Sequence, residues 1–140
     1  RALQDMGENT GVIAVATMDA RCNQVYTATF DCLNGEMKRL TEDEAITIDE
    51  LSERLKKQNK QLVLIGDGAN ICYSKMKEVI DNISIASPAI RYQNASSVAL
   101  IAEELISKDE NNAINSEELV PEYLRLSQAE RELKKKQENN

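Results

Sequence analysis

Histidine is absent from this 140-residue sequence, and its absence removes more chemistry than any residue present supplies. Ser-His-Asp and Cys-His nucleophiles, His-ligated zinc and H-E-x-x-H metalloprotease helices all require an imidazole. Tryptophan is also missing and phenylalanine occurs once, which leaves few aromatic platforms for stacking bases. Acidic residues outnumber basic ones by 24 to 17, interspersed along the chain, so no electrostatic footprint for nucleic acid or an anionic membrane exists. No apolar run approaches the ~18 residues of a membrane span, and nothing at the start resembles a secretory signal. The sequence reads as soluble and cytoplasmic, with neither a membrane nor a direct nucleic-acid partner. Three cysteines, Cys22, Cys32 and Cys72, show no C-x-x-C spacing. An odd count without an export signal points to reduced thiols, with a Cys22–Cys32 disulfide left open. For catalysis there remains carboxylate-bound Mg²⁺ or carboxylate acid–base work.

The length suits one domain with one core. At the start, Ala2, Leu3 and Met6 fall at helical spacing before a C-cap glycine, Gly7. Residues 1–10 therefore read as the end of a helix whose beginning is missing, with a short ordinary N-terminal helix as the alternative. Val12 to Met18 is almost wholly apolar and predicts a strand buried on both faces. In Val25 to Phe30, Tyr26, Ala28 and Phe30 share one face and Val25, Thr27 and Thr29 the other, which predicts a second strand. Asn34-Gly35 then marks a hairpin, so the opening reads as a three-stranded antiparallel meander.

Helical signals follow. Thr47 and Glu50 have capping-box spacing, Ile46 can staple onto Leu51, and Ile48, Leu51 and Leu55 make one stripe. "QLVLIGDG" predicts a strand that ends in a glycine turn, after which Cys72, Met76, Val79 and Ile80 recur at helical spacing. Ser84 to Ala86 reads as a further short strand. Asn94 precedes a helix whose stripe is Val98, Ile101, Ala102 and Leu105. After a Pro-containing extended segment comes a polar helix and tail over 127–140, with capping-box spacing between Ser127 and Glu130.

The order β-β-β-α-β-α-β-α describes an α/β, ribonuclease-H-like lobe over 11–126: a mixed sheet of three antiparallel strands plus parallel strands, flanked by helices. In such a sheet acidic residues from the first and fourth strands can converge on a divalent metal, and Asp19 and Asp67 end those strands here, with Glu50 or Glu53 available from the first helix. That arrangement admits a metal-dependent phosphodiester nuclease. Against it, Asp19 and Arg21 lie two apart and, in a continuing strand, would pair with each other on one side. Gly66, Asp67 and Gly68 are candidates for cradling a nucleotide phosphate, as in a lobe of an actin-like ATPase. The same glycines equally serve a sharp turn.

Three ordered stretches resemble the TsaB (also called YeaZ) family. "VIAVATMDARCNQVYTATF" is similar to its Asp-Ala-Arg-x-x-x-Val-Tyr segment, "LVLIGDGA" to its strand and glycine turn, and "LVPEYLRLSQAERE" to its Pro-x-Tyr-Leu-Arg ending. The resemblance runs from about Gly11 to Leu133 and corresponds to the second half of that family's proteins. It implies the actin-like, sugar-kinase-like two-lobed fold, with the first lobe missing. It also implies a non-catalytic scaffold, with no cofactor or metal of its own, whose partners are the ATP-binding subunit TsaD and the ATPase TsaE. Together these install threonylcarbamoyl on the adenosine beside the anticodon. In the family, TsaD is met mainly through the first lobe, so the face left uncovered here implies self-association as a homodimer. The older glycoprotease label finds no counterpart for metal-binding histidines in this chain. Residue by residue, Asp19, Ala20, Arg21, Val25 and Tyr26 match the first landmark and Gly66 and Gly68 the second. Pro121, Tyr123, Leu124 and Arg125 match the third. All of them read as family-shaping positions with structural roles first, and their chemistry agrees: Tyr26 and Tyr123 can each bury a ring with the hydroxyl at the rim, and Arg21 and Arg125 each offer five donors that can tie strand ends or the C-terminal segment to carboxylates such as Asp19. Asp67 departs from the smaller polar residue of the family's glycine turn.

Overall fold

The apolar run after Gly11 forms the middle of the sheet. β1 (Val12–Asp19) is flanked on one side by antiparallel β2 (Gln24–Leu33), in register from Val12 opposite Cys32 to Asp19 opposite Val25. The computed structural model describes residues 11–34, 36–121, 123, 124 and 137. Asn34, with φ 52°, leads the two-residue connection to β3 (Glu36–Arg39), whose Glu36 pairs with Leu33. The remaining elements are β4 (Glu44–Thr47), α1 (Ile48–Leu55), β5 (Gln61–Ile65), α2 (Ala69–Met76), β6 (Ile83–Ile85), α3 (Pro88–Arg91) and α4 (Ala95–Lys108). A 3-10 turn follows at Glu110–Asn112. The strands make one mixed sheet in the order β3-β2-β1-β5-β6, with β5 and β6 parallel to β1.

Two elements exceed the expected order. β4 pairs with the first half of β2, Gln24 to Thr27, while β3 pairs with its second half. A ten-residue strand is long enough for two short partners in succession. Four residues of "EAIT" are too few to show a period beside the strong helical stripe that begins at Ile48. α3 is a single turn started by Pro88. The expected helix within 1–10 lies outside the described residues, as does all of the 127–140 helix except Gln137.

Strand alternation divides the core as expected. Ile13, Val15, Val25, Leu62 and Leu64 face α1 and α2, where Leu51, Leu55, Cys72 and Met76 close the main core. Ala14, Cys32 and Val63 face the other way, against Ala86 and the partly buried Phe30 and Ile90. α1 starts on the expected capping box, with the Thr47 hydroxyl accepting from the Glu50 amide and the Glu50 carboxylate accepting from the Thr47 amide. Those bonds to Thr47 hold the Glu50 carboxyl below its ordinary value. The stripe of α4 forms as a helix but not as a core: none of its fourteen residues is buried.

All three cysteines are free: Cys22 sits exposed in the β1–β2 turn, and Cys32 and Cys72 are buried. Burial pushes the Cys72 thiol up to about 11 and raises that of Cys32 as well. Alkylation with iodoacetamide at about pH 8 is therefore expected to label Cys22 alone in the folded chain, and all three cysteines in urea. Peptide mass spectrometry reads the result, and native labelling of Cys72 would contradict the packing of α2. The raised Cys72 value also sets a sign: its stabilising contribution is complete below the ordinary value of 9.0 and is lost as pH rises towards about 11.

Candidate functional site

The residues singled out in the sequence meet where β1 and β5 end side by side. Between the two strand ends runs a ladder of polar contacts. The Thr17 hydroxyl donates to the Ile65 carbonyl at 2.9 Å, and the Gly68 amide donates to the Thr17 carbonyl at 3.1 Å. The Asp19 amide donates to Asp67 Oδ1 at 3.1 Å. Asp19 in turn accepts from the Arg21 amide at 2.8 Å and pairs with Arg21 Nη1 at 3.2 Å.

Asp19 and Arg21 do pair, but not along a continuing strand as expected. β1 stops at Asp19, and Arg21, Cys22 and Asn23 adopt φ of 63°, 52° and 61° in a tight turn. Asp19 thus accepts from its own turn, an Asx-type closure that bends the chain back into β2. The ion pair itself is at the surface, with the Arg21 side chain 86% exposed, so the stabilisation comes mainly from the turn.

The glycine turn is occupied by the fold. Gly66 has φ 98°, and a Cβ there would stand 2.0 Å from the Thr17 carbonyl oxygen. Its amide donates to the Arg91 carbonyl at 2.8 Å, the Gly68 amide is spent on Thr17, and the Ala69 amide turns back to the Gly66 carbonyl at 3.3 Å. A phosphate cradle needs such amides pointing outward, and Asp67 adds a negative charge where the phosphate would sit. The remaining acidic candidates are drawn elsewhere. Glu50 closes the cap of α1, and Glu53 pairs with Lys56 at 2.5 Å. Among the described residues no group of three or more Asp, Glu, Cys or His side chains could hold a metal ion.

Two supports escaped the sequence reading. Asn23 donates to Asp49 Oδ2 at 3.2 Å, accepts from Lys75 Nζ, and offers its carbonyl to the Ile48 amide at 3.0 Å, which ties the turn to the start of α1 and the last turn of α2. Its signal was an asparagine placed to take positive φ after Asp-Ala-Arg. Arg91 donates to the Ala86 carbonyl at 2.9 Å and to Asn70 Oδ1 at 3.0 Å, and nothing in the sequence marked it.

Tyr26 is half-buried and lines a cleft of about 590 Å³ between the second face of the sheet and the start of α4. Pro121 is exposed and Leu124 reaches the same cleft. Tyr123 does not bury its ring: it is 84% exposed, while the adjacent Leu124 lines the cleft. Arg21 latches its own turn through Asp19, and Arg125 lies outside the described residues.

No protein-family model matches the chain. It is 26% identical over 113 residues to the tRNA threonylcarbamoyladenosine biosynthesis protein TsaB of Bacillus subtilis (strain 168), covering 80% of this chain and 47% of that protein. In structure it resembles a Pseudomonas aeruginosa protein with similarity to the peptidase YeaZ, at a TM-score of 0.61 and 18% identity over 89% of this chain and 53% of that one. YeaZ from the same organism superposes with a TM-score of 0.58, again at 18% identity. These structures share the fold: mixed α/β, with a mixed sheet and flanking helices. The chain spans about half the length of each of these relatives.

Proposed function

We propose that this chain forms the second, ribonuclease-H-like lobe of a TsaB-type protein of actin-like architecture. In this reading it serves as a non-catalytic scaffold for a TsaD-like ATP-binding subunit and a TsaE-like ATPase in the threonylcarbamoyladenosine modification of tRNA, in the cytoplasm. The observation that carries the reading is the similarity to TsaB across four fifths of the chain. The geometry supports it from a second side. At the strand ends, where a ribonuclease-H-like enzyme gathers carboxylates, Asp19 and Asp67 are engaged in closing turns. The glycine amides that a nucleotide would need are engaged with backbone. A scaffold requires a stable shape and a surface, and both polar networks maintain shape. Neither the nuclease nor the ATPase reading gains a specific contact in its favour.

The test is reconstitution with TsaD and TsaE proteins, read by modified-nucleoside analysis of tRNA beside a TsaD pull-down. A protein carrying this chain behind a first lobe is expected to support threonylcarbamoyladenosine formation. The 140-residue chain alone should give less than about a tenth of that yield, because an interface of standard size is not rebuilt from a residual edge. Inactivity of the two-lobed protein would overturn the assignment. Full activity of the chain alone would overturn the placement of the partner contact in the first lobe.

A further inference from the structure

α4 lies at the rim of the 590 Å³ cleft with a polar side inward. Of its fourteen residues only Ser97 is half-buried, while Val98 is 65% exposed and Leu105, on the same stripe, is exposed as well. Beneath it the second face of the sheet is floored by Ala14, Ala16 and Ala28, small side chains that leave room above them for larger ones. Large apolar side chains left in water beside a trough of small ones are two halves of one packing.

A short hinge joins the halves. α3 is fixed to the sheet, since the Gly66 amide just past β5 donates to the Arg91 carbonyl, and Arg91 itself donates to the Ala86 carbonyl and to Asn70. Only Tyr92, Gln93 and Asn94 separate Arg91 from α4; all three are exposed, and Tyr92 and Asn94 have extended backbone. A change of their dihedrals swings and rolls α4 without pulling any buried side chain from its place, because α4 has none. The reach fits. From Ala95 to Leu105 a helix rises about 15 Å, and from β5 across β1 and β2 to β3 three strand spacings make about 14 Å. Leu105 would arrive over Met37 of β3, which is exposed and lines the cleft.

We propose that α4 is a strap hinged at residues 92–94 that closes across the second face of the sheet and seats Val98, Ala102 and Leu105 over the alanine floor. Open, it leaves the cleft accessible; closed, it fills it. The proposal rests on the cleft and the hinge and is independent of the functional reading.

Disulfide trapping tests it, in a background of Cys22→Ser and Cys32→Ala because Cys22 is exposed and Cys32 stands opposite Met37. Under mild oxidation, Met37→Cys/Leu105→Cys is expected to close an intramolecular disulfide at least about tenfold faster than Met37→Cys/Leu100→Cys, whose second position lies on the other side of α4. Met37, Leu100 and Leu105 are all exposed, so these changes spare the core. Non-reducing peptide mass spectrometry reads the bond. Equal rates for the two pairs, or no bond in either, would overturn the proposal. A bond between two chains would overturn it too, since the occupant would then be a second copy. Amide hydrogen exchange adds a readout without new thiols: Leu105→Ser should speed exchange along α4 about fivefold more than Leu100→Ser, the same chemical change on the other side, and equal effects would count against closure.

Discussion

Gly66→Ala is expected to cost about 4 kcal/mol or more and to leave the chain largely unfolded at room temperature. Two penalties coincide. The left-handed backbone at φ 98° charges any L side chain roughly 1–2 kcal/mol. The new methyl would also stand 2.0 Å from the Thr17 carbonyl oxygen, a backbone atom that cannot swing aside. Relief requires β5 and its turn to move away from β1, which breaks the Gly68–Thr17 bond and the Asp67–Asp19 bond together. Gly11→Ala is the control: its neighbours at 3.3 Å are the flexible ends of Leu33 and Lys60, and its cost should stay near 1 kcal/mol or below. Urea melts followed by circular dichroism measure both, and a Gly66→Ala midpoint equal to the wild type would refute the close approach.

Leu64→Ala should cost about 3 kcal/mol, within the 2–5 kcal/mol range for emptying a buried leucine site. Leu64 is fully buried in β5, paired with Val15 on one side and Ile85 on the other, and it packs under α1 and α2. The floor around it is set by two paired strands, so collapse into the cavity is limited. Leu64→Met, close in volume, should cost less than about 1.5 kcal/mol. Denaturant midpoints at constant slope compare the three proteins, and equal losses for both variants would mean that packing does not set the cost. Neither variant touches the second face of the sheet, so both leave the cleft as a separate question.

Much of the architecture was legible because it is local. The change from a continuous apolar run at β1 to alternation at β2 placed Tyr26, Ala28 and Phe30 on one face, the face that now lines the cleft. Thr47 and Glu50 announced the start of α1 by a spacing that only a helix closes. The missing histidine by itself removed imidazole-dependent nucleophiles and His-ligated zinc from what this chain's own residues can supply. The stripe of α4 was legible as a helix too, but period alone cannot say whether the far side of a stripe is filled.

What the tertiary structure alone decided lies between positions far apart in the chain. Asp19 and Asp67, 48 residues apart, were read as the ends of the first and fourth strands; β1 does end at Asp19, but Asp67 lies in the turn past β5, and only the close approach of the two strands shows that Asp67 accepts from the Asp19 backbone. The same approach makes Gly66 and Gly68 a backbone crossing, a role no spacing distinguishes from a phosphate turn. β4 found its place because β2 is long enough to take a second partner, and it is Leu124, with Tyr123 left exposed, that reaches the cleft. Periodicity reports which side of an element is apolar, since it arises from the geometry of one segment. Who occupies that side, and which donor meets which carboxylate, depends on strand order and on distances of closest approach, and these exist only once the sheet is assembled.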